Sequence, residues 1–396
     1  MKVRRCGILF VEPREEIAFD FESLCAGGDG LRRTRAWIAL APHLGNEQPV
    51  TVAELLLLGD CGDVAWTPRE ELVQKGHGEA VIDSLLARGL LLGEDDEFAT
   101  LRAADERLRE LAWRPLNAAA HCFGRWRDVD ATTAGEARGI RSVEDLIETF
   151  GLPPPHFHAR ADATADVALP RAEASTLDGL LHRRVTCRNY DGDRALPLAH
   201  VAAVLHRTFG ALATESLGGD AIAIKKGSPS AGSLHPVEAY VVAQRVEGLE
   251  RGLYHYHVGE HALHRLPEPE GLPTDLATAF AAGQAWFGEA HVLVALVARF
   301  ARNFWKYRNH PKAYRAIVLD CGHLSQTIYL SATELGLGAF VTAAINEHAI
   351  ETAFGLDGMA EGPLALCGFG IRSATREHVE LDPLASVWSS DGSLRN

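Results

Sequence analysis

The chain has 396 residues, of which 47% are hydrophobic and 23% charged, a composition typical of a globular protein with room for more than one domain. The formal net charge of −14 disfavours nucleic acid and anionic membrane as partners, because both would repel an acidic surface. The seven cysteines are scattered and form no Cys-x-x-Cys motif, which disfavours a disulfide framework, a zinc site and an iron–sulfur site. These observations favour an enzyme that acts on small molecules or peptides.

The N-terminus has a basic head and a short apolar stretch, which Pro13 and the charged residues 14–16 end. This pattern does not fit a signal peptide. Nor does any apolar run reach the roughly 20 residues that span a bilayer. We therefore expect a cytoplasmic protein with no membrane segment.

Residues 50–98 have the pattern of a winged-helix unit. Thr51 and Pro68 mark two helix starts, residues 79–88 have apolar positions at helical spacing, and residues 89–93 read as a strand before an acidic turn. Residues 51–100 carry eleven acidic and three basic side chains, a net charge of −8, which would repel a DNA duplex. The unit is therefore expected to be a peptide-binding module or a structural scaffold.

The rest of the chain is predicted to contain a connection and a mixed α and β domain. Residues 101–113 and a stretch starting at residue 141 read as helices, and the proline-rich run at 151–156 begins a linker that reaches residue 170. We predict a winged-helix-like region over 1–110, a connecting segment over 111–170 and a catalytic domain over 171–396. In that domain we expect helices at 177–182, 198–209 and 313–335, strands at 237–243, 291–297 and 363–370, and a hairpin at 252–266.

Residues 184–190, Arg-Val-Thr-Cys-Arg-Asn-Tyr, read as a phosphate-binding segment. Arg184 and Arg188 present planar guanidinium donors, and Thr186 adds a neutral donor between them. Arg183 becomes the alternative ligand if the register shifts by one residue.

A second segment, residues 229–236, is a run of small residues enclosed by prolines. Such a run brings backbone N–H groups close to a flat ligand. The residues predicted to bind the ligand are Pro229, Ser230, Ala231, Gly232 and Ser233.

The two segments resemble, in order and spacing, the FMN site of the nitroreductase-like SagB-type dehydrogenases, flavoenzymes that mature ribosomally made peptides. Three further motifs carry the resemblance: Lys306-Tyr307, the Gly-His-x-x-Gln run at 322–326, and the turn at 338–340. The resemblance covers about residues 175–375. It implies an α+β, nitroreductase-like FMN-binding fold with an N-terminal winged-helix-like region, and it implies a homodimer.

The resemblance also assigns roles to residues. It places FMN on the two segments above, with His323, Gly338 and Ala339 close to the flavin and Arg372 as a further phosphate charge. Lys306 and Tyr307 correspond to the pair implicated in proton abstraction in the azoline-oxidising branch of the family. A lysine could remove a proton if desolvation lowered its pKa. Trp305 and Tyr314 would line the surrounding pocket.

The predicted function is therefore the FMN-dependent dehydrogenation of a residue in a modified precursor peptide, such as azoline to azole, together with companion peptide-modifying enzymes. One alternative is an NAD(P)H-dependent nitro- or ene-reductase, which needs no Lys-Tyr pair. Another is a non-catalytic peptide-binding scaffold. No glycine-rich dinucleotide fingerprint is present, so a dedicated NAD domain is not expected.

A histidine cluster lies within the predicted hairpin at 252–266, comprising His255, His257, His261 and His264. Alternation with tyrosines indicates an ordinary surface hairpin. No metal site is therefore expected.

Overall fold

The computed structural model describes residues 1–395 except residues 138, 159 and 166. The chain divides into two compact units. The first comprises Met1–Arg125 and Phe300–Arg315, and the second comprises Trp126–Arg299 and Ala316–Asn396. These two units do not coincide with the predicted domain boundaries at residues 110 and 170. The division into domains at those boundaries stays a prediction. Within the described residues, no helix combines the length and apolar composition that a membrane crossing requires.

The first unit contains small antiparallel sheets and short helices. Its elements are β1 (Lys2–Arg5), β2 (Phe10–Phe19), α1 (Phe21–Cys25), β3 (Leu31–Leu40), β4 (Glu47–Val50), α2 (Val52–Asp60), β5 (Thr67–Pro68), α3 (Arg69–Gln74), α4 (Glu79–Ala87), β6 (Leu91–Gly93), α5 (Ala99–Glu110), α6 (Pro115–Gly124) and, later in the chain, α12 (Phe300–Phe304).

Three of these helices and one sheet coincide with the predicted winged-helix region. Strand β1 lies between β5 and β6 in an antiparallel sheet, and α2, α3 and α4 contribute Leu57, Leu72 and Leu85 to a common core. Thr51 caps α2 in a reciprocal capping box with Glu54, as its position before the apolar run predicts. The helix and strand predictions for residues 51–93 are confirmed.

The same unit holds a long hairpin that the sequence pattern did not reveal. Strands β2 and β3 pair over ten residues each, from Phe10 opposite Leu40 to Phe19 opposite Leu31. Most of both strands is exposed, so their residues lack the apolar alternation that marks a half-buried strand.

The second unit is built on a six-stranded antiparallel sheet. Its elements are α7 (Ala131–Glu136), α8 (Val143–Phe150), α9 (Thr176–Arg183), α10 (Leu198–Phe209), β7 (Ala213–Gly218), β8 (Ala221–Lys225), β9 (Val237–Ala243), β10 (Gly252–His257), β11 (Ala262–Arg265), α11 (Leu276–Phe280), β12 (Val292–Arg299), α13 (Ala313–Glu334, from Ala316 onward in this unit), β13 (Gly338–Thr342), α14 (Glu347–Phe354) and β14 (Glu361–Gly370).

The strands of this sheet follow the order β11-β10-β9-β12-β14-β13, with every neighbouring pair antiparallel. Strand β12 is central and buried from Val292 to Ala298, which agrees with its continuous apolar sequence. The helix α13 ends before Gly336, whose φ of 72° terminates a helix readily. The predicted α+β character of this region is confirmed.

The hairpin of β7 and β8 was not predicted. All six residues of β7 are exposed, and the two strands form a two-stranded sheet. The hairpin leads directly into the loop that carries the small residues.

Candidate functional site

The small-residue segment forms an irregular loop between β8 and β9. Residues Ala231–Ser233 make one short helical turn, within which Gly232 has a φ of 62°. Ser233 and His235 also have positive φ values, 57° and 46°. Non-glycine residues rarely adopt this left-handed conformation, and such strain concentrates at functional sites. The loop must therefore be held in place by its surroundings.

Asp320 of helix α13 holds this loop. Its carboxylate accepts hydrogen bonds from the Ser230 hydroxyl at 2.5 Å and from the Ala231 amide at 3.3 Å. The Ser230 hydroxyl in turn accepts from the amide of His235 at 2.9 Å. Burial raises the pKa of Asp320, although both hydrogen bonds oppose that shift. The Ser230 hydroxyl is thus engaged within the protein.

Two further contacts attach the loop to the same helix. The Nδ1 atom of His323 lies 3.3 Å from the carbonyl oxygen of Pro229. The hydroxyls of Ser228 and Thr327 are 2.6 Å apart. Asp320, His323 and Thr327 are spaced three and four residues apart, so they lie on one face of α13.

A cavity of about 600 Å³ lies beside the loop. The loop contributes Ser228, Ser233 and His235, and the β7–β8 hairpin contributes Thr214 and Ile224. The nearly buried Lys226, which is 4% exposed, also lines the cavity and places a cationic group there. The volume falls within the range of small-molecule and cofactor sites.

The predicted phosphate-binding segment, residues 184–190, contacts α13 farther along the helix, at Tyr329. The Arg184 guanidinium lies over the Tyr329 ring at 5.2 Å, and the Thr186 hydroxyl is 2.9 Å from the Tyr329 hydroxyl. The structure therefore brings Arg184 and Thr186 together. The Arg188 guanidinium donates to the carbonyl oxygen of Val379 at 3.2 Å, and its predicted phosphate contact stays a prediction.

The turn at Gly338 and Ala339 packs against this segment. The amide of Cys187 donates to the carbonyl oxygen of Ala339 at 2.8 Å, and Thr186 pairs with Ala339 in a parallel bridge. A side chain at Gly338 would overlap the Cys187 thiol, so glycine is required there for packing. Both residues thus have a packing role, and their predicted proximity to the flavin stays a prediction.

Glu380 of the C-terminal segment anchors the far end of the same segment. Its carboxylate accepts from the amides of Arg188 at 2.6 Å and Asn189 at 3.1 Å. It also accepts from the Arg372 guanidinium at 2.8 Å and the Trp388 indole at 2.7 Å. The side chains of Arg372 and Glu380 are 7% and 0% exposed. Arg372 thus has a buried structural partner, and its predicted phosphate contact stays a prediction.

Helix α13 links the two parts of the candidate site. His323 contacts the small-residue loop, and Tyr329 contacts the arginine segment. Six residues along a helix correspond to a rise of about 9 Å and to side-chain directions about 120° apart around the axis. The two parts of the candidate site are therefore neighbours along α13 but contact different faces of it.

Lys306 and Tyr307 belong to the first unit. Lys306 is exposed, with its Nζ atom 5.6 Å from the centre of the Tyr307 ring. Trp305 is 69% exposed, whereas Tyr314 packs in an aromatic cluster with Trp113. The prediction that Trp305 and Tyr314 line a common pocket stays a prediction; Trp305 faces solvent, and Tyr314 is partly buried in the aromatic cluster.

Four residues of the site were not predicted: Lys226, Asp320, Tyr329 and Glu380. Asp320 had a signal in the sequence, because it is a lone carboxylate on the same helical face as His323. Lys226 and Tyr329 flank the predicted motifs but have no distinguishing spacing. Glu380 follows the last strand in an irregular segment, where no periodicity could identify it.

Residues 181–371 match the model of the nitroreductase family. The candidate nitroreductase MJ1384 of Methanocaldococcus jannaschii is 29% identical over 187 residues, which cover 47% of this chain and 88% of that protein. The trifolitoxin-processing protein TfxB of Rhizobium leguminosarum bv. trifolii is 33% identical over 150 residues, which cover 36% of this chain and 38% of that protein.

A solved structure is also similar. A chain of the Escherichia coli microcin synthetase McbBCD complex, with truncated pro-MccB17 bound, aligns with a TM-score of 0.47 and 20% identity, covering 67% of this chain and 94% of that chain. The family match, by contrast, spans the loop, the arginine segment and helix α13 from Ala316 onward. Residues 181–371, slightly less than half of the chain, are therefore similar to the nitroreductase family.

Proposed function

We propose that the protein is an FMN-dependent dehydrogenase that oxidises a residue of a ribosomally made, modified peptide. The family match supports the oxidoreductase class. The proposal of a peptide substrate is supported by the 33% identity to a trifolitoxin-processing protein. Oxidation of an azoline to an azole, with companion peptide-modifying enzymes, is the specific form of this proposal.

The chain's own residues support FMN as the cofactor. The loop and its cavity suit a flat ring system, because small side chains leave the backbone accessible beside about 600 Å³ of space. Arg184 and Thr186 suit the phosphate, as a guanidinium and a hydroxyl side by side. Both parts contact α13, about 9 Å apart along its axis.

When bound, FMN would supply a two-electron acceptor that takes hydride from a substrate carbon. A base must then remove a proton from the neighbouring atom. We assign this task to Lys306, with Tyr307 beside it, because an amine is a competent base when substrate binding removes it from water. The partial exposure of both side chains leaves them accessible to a peptide.

The cofactor proposal is tested by releasing the ligand from the purified protein. We expect a yellow protein that yields FMN, and not FAD, on denaturation, because the proposed site has one phosphate-binding segment. Arg184→Ala should lower FMN affinity by about ten- to a hundredfold, the value of a charge-assisted contact. Arg194→Ala, which removes an exposed arginine paired with Asp191, is the control. FAD, or no flavin after reconstitution, contradicts the proposal.

The catalytic proposal is tested by Lys306→Ala with azoline-bearing peptides as substrates. The variant should keep its FMN and lose about 10²–10⁴-fold in oxidation rate, the usual contribution of a general base. Lys312→Ala, an exposed lysine in the same segment, is the matched control. Oxidation at the parent rate in the Lys306 variant would refute the assignment.

The similarity to the candidate nitroreductase MJ1384 favours one competing function, reduction of nitro or ene substrates by NAD(P)H. Anaerobic mixing of the flavin-loaded protein with NADPH separates the two. Rapid bleaching of the flavin supports the reductase, whereas bleaching only with azoline peptide supports the dehydrogenase. A folded protein that binds no flavin would instead indicate a scaffold.

We further propose a cytoplasmic homodimer. Support comes from helix α8, whose four apolar side chains, Val143, Leu146, Ile147 and Phe150, are between 38% and 72% exposed. A face of this kind commonly marks an association surface. Light scattering should give twice the mass of one chain, and Phe150→Asp should reduce it. A monomeric parent protein contradicts the proposal.

A further inference from the structure

Three side chains at the tip of the β10–β11 hairpin converge on one point. The ligand atoms of His257, Glu260 and His264 all lie within 4.8 Å of one another. The strand register explains this placement, because His255 pairs with His264 and His257 pairs with Ala262. His257 and His264 are therefore diagonal neighbours on one face, and Glu260 enters from the turn.

The three groups are already oriented toward each other. The Nε2 atom of His264 is 3.0 Å from Glu260 Oε2, and the Nδ1 atom of His257 is 3.8 Å from Glu260 Oε1. The two imidazole rings are stacked, with centroids 5.1 Å apart and an angle of 18° between their planes. The Glu260 amide donates to His257 Nδ1 at 3.1 Å, so the lone pair of that nitrogen points into the turn.

We propose that these three residues bind a divalent cation of the zinc class. Two imidazoles and one carboxylate are a common zinc ligand set, and bonds of about 2.0–2.2 Å place tetrahedral ligands roughly 3.3–3.6 Å apart. Small side-chain movements reach that spacing from the present one. The metal takes the Nδ1 lone pair of His257 in place of the Glu260 amide hydrogen, and water completes the coordination.

The neighbouring histidines do not belong to this site. His255 lies 3.4 Å from the carboxylate of Glu238, and His261 Nδ1 lies 2.7 Å from the Tyr256 hydroxyl. The four histidines thus do not form one site, and a metal on two of them would correct the expectation that this hairpin holds none. Glu260, a turn residue outside the histidine pattern, completes the ligand set.

A metal-free ion-pair cluster is the competing interpretation. In that case the imidazole of His264 hydrogen-bonds the Glu260 carboxylate, and the Glu260 amide occupies Nδ1 of His257, with no metal between them. A cluster of this kind takes up no stoichiometric Zn²⁺. Metal binding and an ion-pair cluster therefore differ in a measurable way.

The test is calorimetric titration of Zn²⁺ into the full chain after treatment with a chelator, in a Cys25→Ser background. Cys25 is an exposed thiol, and its replacement removes a competing soft ligand. We expect one Zn²⁺ per chain, and a loss of more than about a hundredfold in affinity for His257→Ala and for His264→Ala, beyond the effect of an outer contact. Glu260→Gln should weaken binding as well.

His261→Ala is the matched control, because it removes a histidine of the same hairpin outside the proposed ligand set. It should leave Zn²⁺ affinity unchanged. Co²⁺ substitution supplies a second readout, since tetrahedral coordination produces intense visible absorption that the His257 variant should lose. No stoichiometric binding, or binding unaffected by the His257 and His264 variants, overturns the proposal. Neither readout depends on flavin or on oxidation of a peptide.

Discussion

The second unit contains two irregular segments that are each held by a buried carboxylate, but in different ways. Glu380 anchors the arginine segment and has the guanidinium of Arg372 as a buried counter-charge. Asp320 anchors the small-residue loop and accepts hydrogen bonds from a hydroxyl and an amide, while His323 also lowers its pKa electrostatically. One anchor is a charge pair in a network, and the other is a carboxyl whose hydrogen-bond donors are neutral.

This difference determines what each anchor contributes. A buried ion pair is costly to break, because removal of one partner leaves the other charge without compensation. A carboxyl with neutral partners costs less to remove, and it responds to pH because burial raises its pKa. We therefore expect the arginine segment to depend on charge and the loop to depend on protonation.

The largest expected effect is that of Glu380→Ala. It leaves Arg372 buried without a counter-charge and removes the acceptor of the Arg188 and Asn189 amides. The free energy of unfolding, measured with urea, should fall by about 3–5 kcal/mol. Glu377→Ala, an exposed carboxylate three residues away, should change it by less than about 0.5 kcal/mol. Equal losses of stability in the Glu380 and Glu377 variants would mean that Glu380 does not anchor the segment.

Asp320→Ala should have a smaller effect. The Ser230 hydroxyl and the Ala231 amide lose their shared acceptor, at a cost of about 1.5–3 kcal/mol in the free energy of unfolding. Val318→Ala, at a half-exposed position of the same helix, is the control. A loss as large as that of Glu380→Ala would show that neutral partners are not the weaker anchor.

The pH dependence of stability should trace to Asp320. Because burial raises its pKa above 3.8, the folded protein holds this proton more tightly than the unfolded chain. The stabilisation from the proton is complete below pH 3.8 and is lost as the pH rises through the folded-state pKa. Asp320→Asn has no such step, so the stability of the parent relative to this variant should decline across that window. A constant difference would contradict the shift.

The smallest expected effect is that of Ser230→Ala, about 0.5–1.5 kcal/mol, because one hydrogen-bonded hydroxyl is lost. In the double variant with Asp320→Ala, the two losses should not add, since both variants remove the same bond. Urea unfolding of the four proteins measures the coupling. Simple additivity would mean that the bond does not hold the loop.

The sequence predicted the elements that have strong periodicity or clear ends. Helix α13 has an apolar repeat and a glycine stop, and β12 has a continuous apolar run, so both were identified close to their observed bounds. The small-residue loop was identified because its residue types are unusual in order. Local patterns of this kind can be recognised in a single sequence.

What the sequence did not predict depends on contacts between distant residues. The β2–β3 and β7–β8 hairpins are largely exposed, so neither shows a buried face in its sequence. Glu380 reaches Arg188 across 192 positions of the chain, and no local pattern records that contact. The position of Lys306 in the first unit likewise follows from tertiary packing.

The β7–β8 hairpin has a consequence for how the cavity behaves over time. A two-stranded ribbon without buried side chains has little free energy separating its closed form from local opening. One wall of the cavity is therefore its least stable part, while the opposite wall rests on the long helix α13. Occupancy should slow amide hydrogen exchange in Ala213–Lys225 more than in the central strands. We therefore expect a bulky ligand to enter by local opening of this ribbon, with the six-stranded sheet left in place.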